Sequence, residues 1–486
     1  MYAGIDFGTS SCSIGVWQDG APVLLPLEGE NTRLLSALYT YRAQIGAKEV
    51  DQSELDKRIG NTKRGFAKAA KLAREEGRPF LMPSDEEIER QLRGVLRREL
   101  AAKSLAQYRD QSINEALQFG AGTYFGEQAL AKHIKEPFDG YFVKSPKSFL
   151  GADLNPDMID LYSLIVQSML AHIKKSGERT TGAPIKKIVL GRPVNFHGTN
   201  GEDGNQQAIK ILRKAASSAG FKTVHFLLEP VAAALDFERT LSRDLLVLVL
   251  DVGGGTTDCS MVHIGPSSKD KIDRDGSVLG STGTRIGGVD IDIKLAFRKI
   301  MPFFGKESLL STGLPIPNSI YWDAVAINDI NAQAEFLSEK TKRTVADLLF
   351  RSQQKELVRR LKVLQESRLG VRLNRSAELA KIHLSDRENI NLPLRYIEPE
   401  WVIQLSRTDL RESIDRELNL FVSLATEVEK QAGAAPDVVY ITGGTAKSPV
   451  VEHWIRSKYR NVEIVVGDVF GSVTSGLTTW AQRIYR

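Results

Sequence analysis

The alternation of apolar and polar positions opens on a strand. Residues 2–7 lead into a short loop, 11–17 read as a second strand, Asp19-Gly20 as a hairpin turn and 22–27 as a third strand. Far downstream, 244–251 is an apolar run of buried-strand length, Gly253-Gly254-Gly255 is a turn, and 256–264 is the strand that leaves it. The two passages match: Asp6-Phe7-Gly8-Thr9 leading to Cys12-Ser13 aligns with Asp251-Val252-Gly253-Gly254-Gly255-Thr256 leading to Cys259-Ser260. Self-similarity of this kind across half the chain predicts a duplicated lobe.

Between the repeats, 185–196 and 223–228 have the pattern of buried strands separated by a helix at 207–219. Glu229-Pro230 then opens a helix, with proline in the first turn where its missing donor does no harm. In the second half, 437–442 reads as a strand and Gly443-Gly444 as a turn. Ser448-Pro449 is expected to cap and start a helix on which Val450, Val451, Trp454 and Ile455 share a face. Two charged, helical stretches, about 43–138 and 318–386, interrupt this rhythm. The expected organisation is therefore a lobe I core of 1–38 and 145–242 with an inserted helical subdomain at 39–144. Lobe II has a core of 243–300 and 403–486 with an inserted helical subdomain at 301–402.

Length supports two lobes, since 486 residues exceed what one compact core accommodates. The net charge of +5 comes from interspersed signs and does not indicate a nucleic-acid partner. No apolar run is long enough to span a bilayer, and the first residues enter a strand at once, without a signal core, so a cytoplasmic protein with no membrane partner is expected. Two cysteines, Cys12 and Cys259, exclude a disulfide framework and an all-cysteine zinc site, and the seven histidines form no HExxH pair. The cysteines could approach one another as a redox switch, but small buried thiols in core strands are the preferred reading.

A strand that ends in Asp-x-Gly places a carboxylate beside a tight turn whose amides point outward, and successive amides of that kind cradle phosphate oxygens. Two such loops facing each other can grip phosphates from both sides, with Asp6 and Asp251 where Mg²⁺ could be held, directly or through water. A Walker loop is absent, because Gly305-Lys306 continues into Glu307, and no GxGxxG follows a strand, which disfavours P-loop and Rossmann readings.

The motifs IDFGTSS from Ile5, VKSPKSFLGA, LLEPVAAALDFE, LVLDVGGGTTDCS and YITGGTAKSPV from Tyr440 occur in one order through most of the chain. In that wording the sequence resembles the DnaK-type heat-shock chaperone ATPases, and most of all their shortened YegD-like branch. The resemblance implies an α/β, duplicated actin-like (ribonuclease-H-like) ATPase fold, with two lobes around a nucleotide cleft. It assigns phosphates to Gly8, Thr9 and Ser10 of the first lobe and to Gly253, Gly254, Gly255 and Thr256 of the second. Lys147 falls at the family's catalytic lysine, with Lys144 as an alternative; Glu229 and Asp258 match acids near the metal and nucleophile. Glu229 read alone is also a helix N-terminal acid, and Asp258 a turn acid. The adenosine side would comprise Gly443, Gly444, Thr445, Gly287 and Gly288. Glu378 and Lys381, three apart on a helix, would face the ribose or form a solvated ion pair. Pro193 resembles a proline that relays nucleotide state.

Two departures stand out. Ile382 and Lys447 replace arginines of the family pattern, removing planar guanidinium groups. After Gly476 the chain runs only to Arg486, so a C-terminal peptide-binding domain is not expected. The implied ligands are ATP or ADP with Mg²⁺, and the implied activity is slow ATP hydrolysis coupled through lobe closure to an unidentified protein partner or co-chaperone. A small-molecule kinase of the same superfamily, and a non-hydrolysing nucleotide sensor or actin-like polymer, are the alternatives.

Overall fold

In each half of the chain the β-branched and apolar strand runs assemble into a sheet of the same topology. The computed structural model describes residues 1–41, 51–75, 85, 88–89, 92–93, 96, 122–137, 139–196, 201–238, 241–268, 271, 274–467 and 471–486. In the first sheet the order is Ala21–Leu24, Ser11–Gln18, Tyr2–Phe7, Lys187–Arg192, Thr223–Leu228, with Arg33–Leu35 also paired to Ser11–Gln18. In the second it is Val278–Thr284, Thr257–Ile264, Leu245–Val252, Val438–Thr442, Glu463–Val466. Each sheet has an antiparallel hairpin on one side of its first strand and parallel strands on the other. The duplication expected from the repeated Asp-x-Gly passage is thus present in strand order, direction and pairing.

The register corrects one detail of that expectation. Asp6 lies opposite Ser13 and Phe7 opposite Cys12, whereas Asp251 lies opposite Asp258 and Val252 opposite Thr257. The counterpart of Ser13 is therefore Asp258, and Cys259, opposite Leu250, is the counterpart of Ile14 rather than of Cys12. Matching the two Cys-Ser pairs slips the alignment by two residues. A slip of two leaves every side chain on its original face, so alternation alone does not detect it. Cys12 and Cys259 are both free and fully buried. Burial pushes each thiol up to about 12, the behaviour of inert core residues.

Two helices lie where the sheets meet. Glu229–Glu238 starts at Glu229-Pro230 as expected, and Ser472–Tyr485 closes the chain. Val231 to Leu235 and Leu477, Trp480 and Ala481 share one buried cluster with Val189 of the first sheet and Val247, Val249, Val438 and Tyr440 of the second. Close approach sets two residue choices here. A Cβ on Gly476 would stand 1.8 Å from the Ala232 carbonyl oxygen, and one on Gly4 would stand 2.4 Å from the Thr478 nitrogen. Glycine is what allows these backbones to cross.

A larger cluster packs the other face of the second sheet against the helices Asn318–Val325, Glu339–Arg351, Lys355–Glu366 and Gly370–Asp386 and the hairpin Asn389–Pro393/Val402–Ser406. Pro449 starts the helix Pro449–Lys458 as expected, but Ser448 makes no side-chain capping bond; its buried hydroxyl has no partner among the described residues.

Leu38–Tyr124 and Gln128–Phe142 form a second compact unit. This unit holds the helix Gln52–Glu75, on which Leu55 is fully buried against Leu92 and Leu96. Tyr41 donates to Glu136 at 2.5 Å, and Lys132 lies over the Tyr41 and Tyr124 rings. Much of the helical stretch expected at 43–138 lies outside the described residues.

Candidate functional site

Both Asp-x-Gly turns open into one cavity of about 880 Å³ within the larger unit. Asp6 and Asp251 stand at equivalent ends of equivalent strands. Asp251 is also flanked by Thr442 on the parallel strand and by Gly443. Gly443 has φ 88°, and a Cβ there would meet the Asp251 carboxylate at 2.4 Å, so both conformation and space demand glycine.

The turns themselves touch. A Cβ on Gly254 would lie 1.2 Å from the Ser10 Oγ, and one on Gly255 would lie 2.3 Å from the Thr9 Cγ2. The first turn supplies hydroxyl side chains, and the second is stripped to backbone to receive them. A third glycine pair completes the stack. The Gly288 and Val289 amides donate to the Gly253 and Gly254 carbonyls at 2.9 and 2.6 Å, and a Cβ on Gly287 would strike the backbone of Gly254 and Gly255. The Thr445 hydroxyl donates to the Gly253 carbonyl at 3.2 Å. The chain thus gathers Gly8 to Ser10, Gly253 to Thr256, Gly287-Gly288 and Gly443 to Thr445 into one backbone-rich surface.

Lys147 reaches this surface from a single tight turn, Pro146–Phe149, introduced by Ser145 at φ 57°. The Ser145 amide is tied to the Ser36 carbonyl at 2.7 Å, which holds this rare conformation in place. Lys147 Nζ donates to Glu229 Oε1 at 2.5 Å. Glu229 heads its helix next to Gly191, where a Cβ would press on the glutamate at 3.1 Å. Lys144, the alternative lysine, points elsewhere: its Nζ is 4.0 Å from Glu378.

The electrostatics are those of a buried cluster with excess negative charge. Burial, and then the Glu229 charge, push Asp6 up to about 7 against the pull of Lys147. Burial followed by Asp258, Glu229 and Asp6 holds Asp251 well above the usual carboxylate range. Burial opposes charge on Lys147, but Glu229 and Asp6 outweigh it and raise that pKa above the ordinary lysine value.

At the other end of the cavity Glu378 and Lys381 do not pair with each other. Lys381 Nζ lies 2.8 Å from Asp292 and donates to the Gly288 carbonyl at 2.9 Å. Glu378 is paired with Arg375 at 2.9 Å. Burial opposes its charge, yet Lys144 and Arg375 hold its carboxyl below the ordinary range. Asp292 is fully buried, and burial pushes it up to about 7 although Lys381 pulls the other way. Asp292 and Arg375 were not anticipated. Arg375 sits one helical turn before Glu378, the one local signal for it; Asp292 is far away in sequence, and only packing reveals it.

Of the expected residues, Gly255, Gly287 and Asp258 do not line the cavity. The first two support its wall, and Asp258 accepts a bond from Thr256 at 3.0 Å. The Lys447 side chain lies outside the described residues. Pro193 and Ile382 both line the cavity. Among the described residues no group of three or more His, Cys, Asp or Glu side chains could by itself hold a metal ion, and no helix is long and apolar enough to cross a membrane.

A family model described as Hsp70 protein matches residues 158–308, the segment that contains Glu229, the second glycine turn and Gly287-Gly288. Similar proteins include Chaperone protein DnaK of Methanothermobacter thermautotrophicus, 23% identical over 59% of this chain and 39% of the relative. DnaK of Elusimicrobium minutum is 26% identical over 63% of this chain and 40% of that protein. DnaK of Cenarchaeum symbiosum is 32% identical over 29% and 19% respectively. The matches therefore span about two-fifths or less of these relatives' length. With the ordered motifs, the duplicated sheets and the paired glycine turns, these likenesses relate the chain to the DnaK-type Hsp70 proteins, and its fold is the actin-like ATPase fold.

Proposed function

We propose that this chain binds Mg-ATP in the cleft between its two lobes, hydrolyses it slowly, and passes the accompanying lobe movement to a protein partner in a chaperone-related role. The observation that carries the reading is the meeting of the two glycine turns beside the buried Lys147, paired with Glu229, and the Asp6 and Asp251 carboxylates. Backbone amides on both sides suit phosphate oxygens, and phosphoryl transfer is catalysed mainly by positioning and electrostatics.

In this reading Lys147 balances charge on the terminal phosphate, and Glu229 orients Lys147 and accepts a hydrogen bond from the attacking water. Thr256 is held by Asp258 so that its hydroxyl stays beside the second turn. Asp6 and Asp251 are oxygen donors of the kind magnesium prefers, and with only two carboxylates converging, the ion would keep most of its waters. Bound magnesium would neutralise charge developing on the phosphates. Glu378 and Lys381, each already tied to a partner, form a rigid ribose-side wall.

Calorimetric titration with ATP, ADP and GTP, with and without Mg²⁺, tests the proposal. Magnesium-dependent nucleotide binding is expected, together with single-turnover hydrolysis far slower than a metabolic kinase. Absence of binding overturns the reading. Rapid ATP-dependent phosphorylation of a metabolite would replace hydrolysis with a kinase activity.

A further inference from the structure

In each sheet the face that carries the aspartate also carries the C-terminal helix. In the first sheet Gly4 pairs with Gly15 and Asp6 with Ser13. Residues paired in register, and residues two apart along a strand, share a face, so these four stand together. The helix Ser472–Tyr485 crosses that face at the glycines: a Cβ on Gly4 would meet the Thr478 nitrogen at 2.4 Å, and one on Gly15 would meet the Thr478 Oγ1 at 2.5 Å. In the second sheet Val249 pairs with Tyr440 and Asp251 with Thr442. Val249 and Tyr440 pack in the buried cluster that holds Val473, Leu477 and Trp480 of the same helix.

One step further along both faces, close backbone and apolar contact gives way to hydroxyl groups. Ser13 Oγ shares a hydrogen bond with Thr474 Oγ1 at 2.6 Å, and Thr442 Oγ1 shares one with Ser472 Oγ at 2.9 Å. All four side chains are buried. Ser13 comes from the first sheet and Thr442 from the second, yet both partners lie in the first turn of one helix. A buried hydroxyl stripped of its partner carries the full cost of desolvation, so each bond resists separation of its strand from that turn. Ser13, Thr442 and Ser472 line the cavity together with Asp6 and Asp251.

Accepting the Mg-ATP reading of the cleft, we infer that Thr474 and Ser472 are positioning residues: through Ser13 and Thr442 they fasten the strand pairs that carry Asp6 and Asp251 to one helical turn, and this sets the spacing of the two carboxylates. Magnesium demands near-ideal octahedral geometry, so the spacing of two carboxylates from different lobes governs how well they serve it, directly or through water. Groups that orient metal-binding residues without touching the ion change metal affinity by about tenfold or more when removed. Phosphate held by the turn amides alone does not depend on that spacing.

The test is calorimetry of the full chain with ATP, with and without Mg²⁺, on the parent, Thr474→Val, Thr474→Ser, Ser13→Ala and Ser472→Ala. Thr474→Val keeps the branched shape and removes the hydroxyl. The factor by which Mg²⁺ strengthens ATP binding should fall about tenfold in Thr474→Val, in Ser13→Ala and in Ser472→Ala. Thr474→Ser, which keeps the hydroxyl, should regain most of it. Combining Ser13→Ala with Thr474→Val should lower the factor no further than either change alone, because both remove the same bond. ATP affinity without Mg²⁺ should stay within about twofold throughout, since the amides that grip phosphate are untouched.

Equal losses with and without Mg²⁺, or a lower melting temperature with an unchanged Mg²⁺ factor, would assign the two bonds to folding alone, and either result overturns the inference while nucleotide binding by the parent stands. If Thr474→Val does not fold, Ser13→Ala decides in its place, and an unchanged factor there overturns the inference as well. A parent that binds ATP but gains nothing from Mg²⁺ removes the metal role of Asp6 and Asp251 and the inference with it. A parent that binds no ATP under either condition overturns the cleft reading itself, and the positioning role falls as its consequence.

Discussion

The two Asp-x-Gly hairpins have the same strand pairing and the same spacing from aspartate to its cross-strand partner, yet they are chemically opposite. The first carries Thr9 and Ser10 at its turn and Ser13 across from Asp6; the second carries Gly254 and Gly255 and Asp258 across from Asp251. The hydroxyl groups of the first fill the space that the glycines of the second leave empty. Duplication supplied two copies of one loop, but two identical copies cannot face each other at this distance. One has to give up its side chains. The charges differ in one respect: after burial, Glu229 does most to raise Asp6 and Asp258 does most to raise Asp251, while Lys147 pulls against both.

Four experiments can break or sharpen that contrast. The largest effect belongs to the lysine. Lys147→Ala should cut single-turnover ATP hydrolysis by about a hundredfold, the scale of removing one preorganised electrostatic contact, with little change in ATP affinity by calorimetry. Unchanged hydrolysis would remove Lys147 from the chemistry.

Steric division of labour comes next. Gly254→Val should weaken Mg-ATP binding by about tenfold or more, because the new side chain occupies the place of the Ser10 hydroxyl. Exchanging the roles, with Ser10→Gly and Gly254→Ser together, should recover more than half of the lost binding free energy. If the exchange is as poor as Gly254→Val, the two turns are not sterically complementary.

A pH series on nucleotide-free protein addresses the carboxylates. Because folding raises the Asp6 pKa to about 7, the folded state favours the neutral acid. Its contribution to stability is full below the ordinary carboxylate range and is lost as pH rises toward 7. Across that window the melting temperature of the parent should fall more than that of Asp6→Asn, by about a few degrees. Parallel curves would show that Asp6 does not carry this linkage.

The smallest effect should come from Asp258→Asn. Removing the Asp258 charge relieves only one of the effects that raise Asp251 and leaves its burial untouched. The melting curve should lose a little of its pH dependence over the same range, and less than in Asp6→Asn.

Local signals made much of this legible. Thr223–Leu228 is a strand over the span its apolar run indicated, and Pro230 and Pro449 stand in first helical turns as their fixed φ and missing donor suggest. The glycine turns were visible because few residues other than glycine tolerate such approach. What escaped notice has a common cause. Asp292 with Lys381, and Ser13 as the partner of Asp6, are pairings between segments whose sequences carry no mark of one another. Ser448 has the residue type of a cap without making the bond, because capping is decided by where the hydroxyl points. The helix Ser472–Tyr485 was likewise not anticipated, although Gly476 sits where it crosses Ala232.

By itself the sequence determined the things that depend on neighbours along the chain: where strands and helices start, that the lobe occurs twice, and which residues could bear phosphate and metal chemistry. Only the tertiary structure decided the register of the hairpins, which lysine meets Glu229, which cations hold Glu378 and Asp292, and that one glycine turn nests in the hydroxyl groups of the other. Backbone conformation responds to local sterics and periodicity, which a sequence displays. Buried charge and close packing respond to whatever the fold brings within a few ångströms, and that is settled only when distant segments meet.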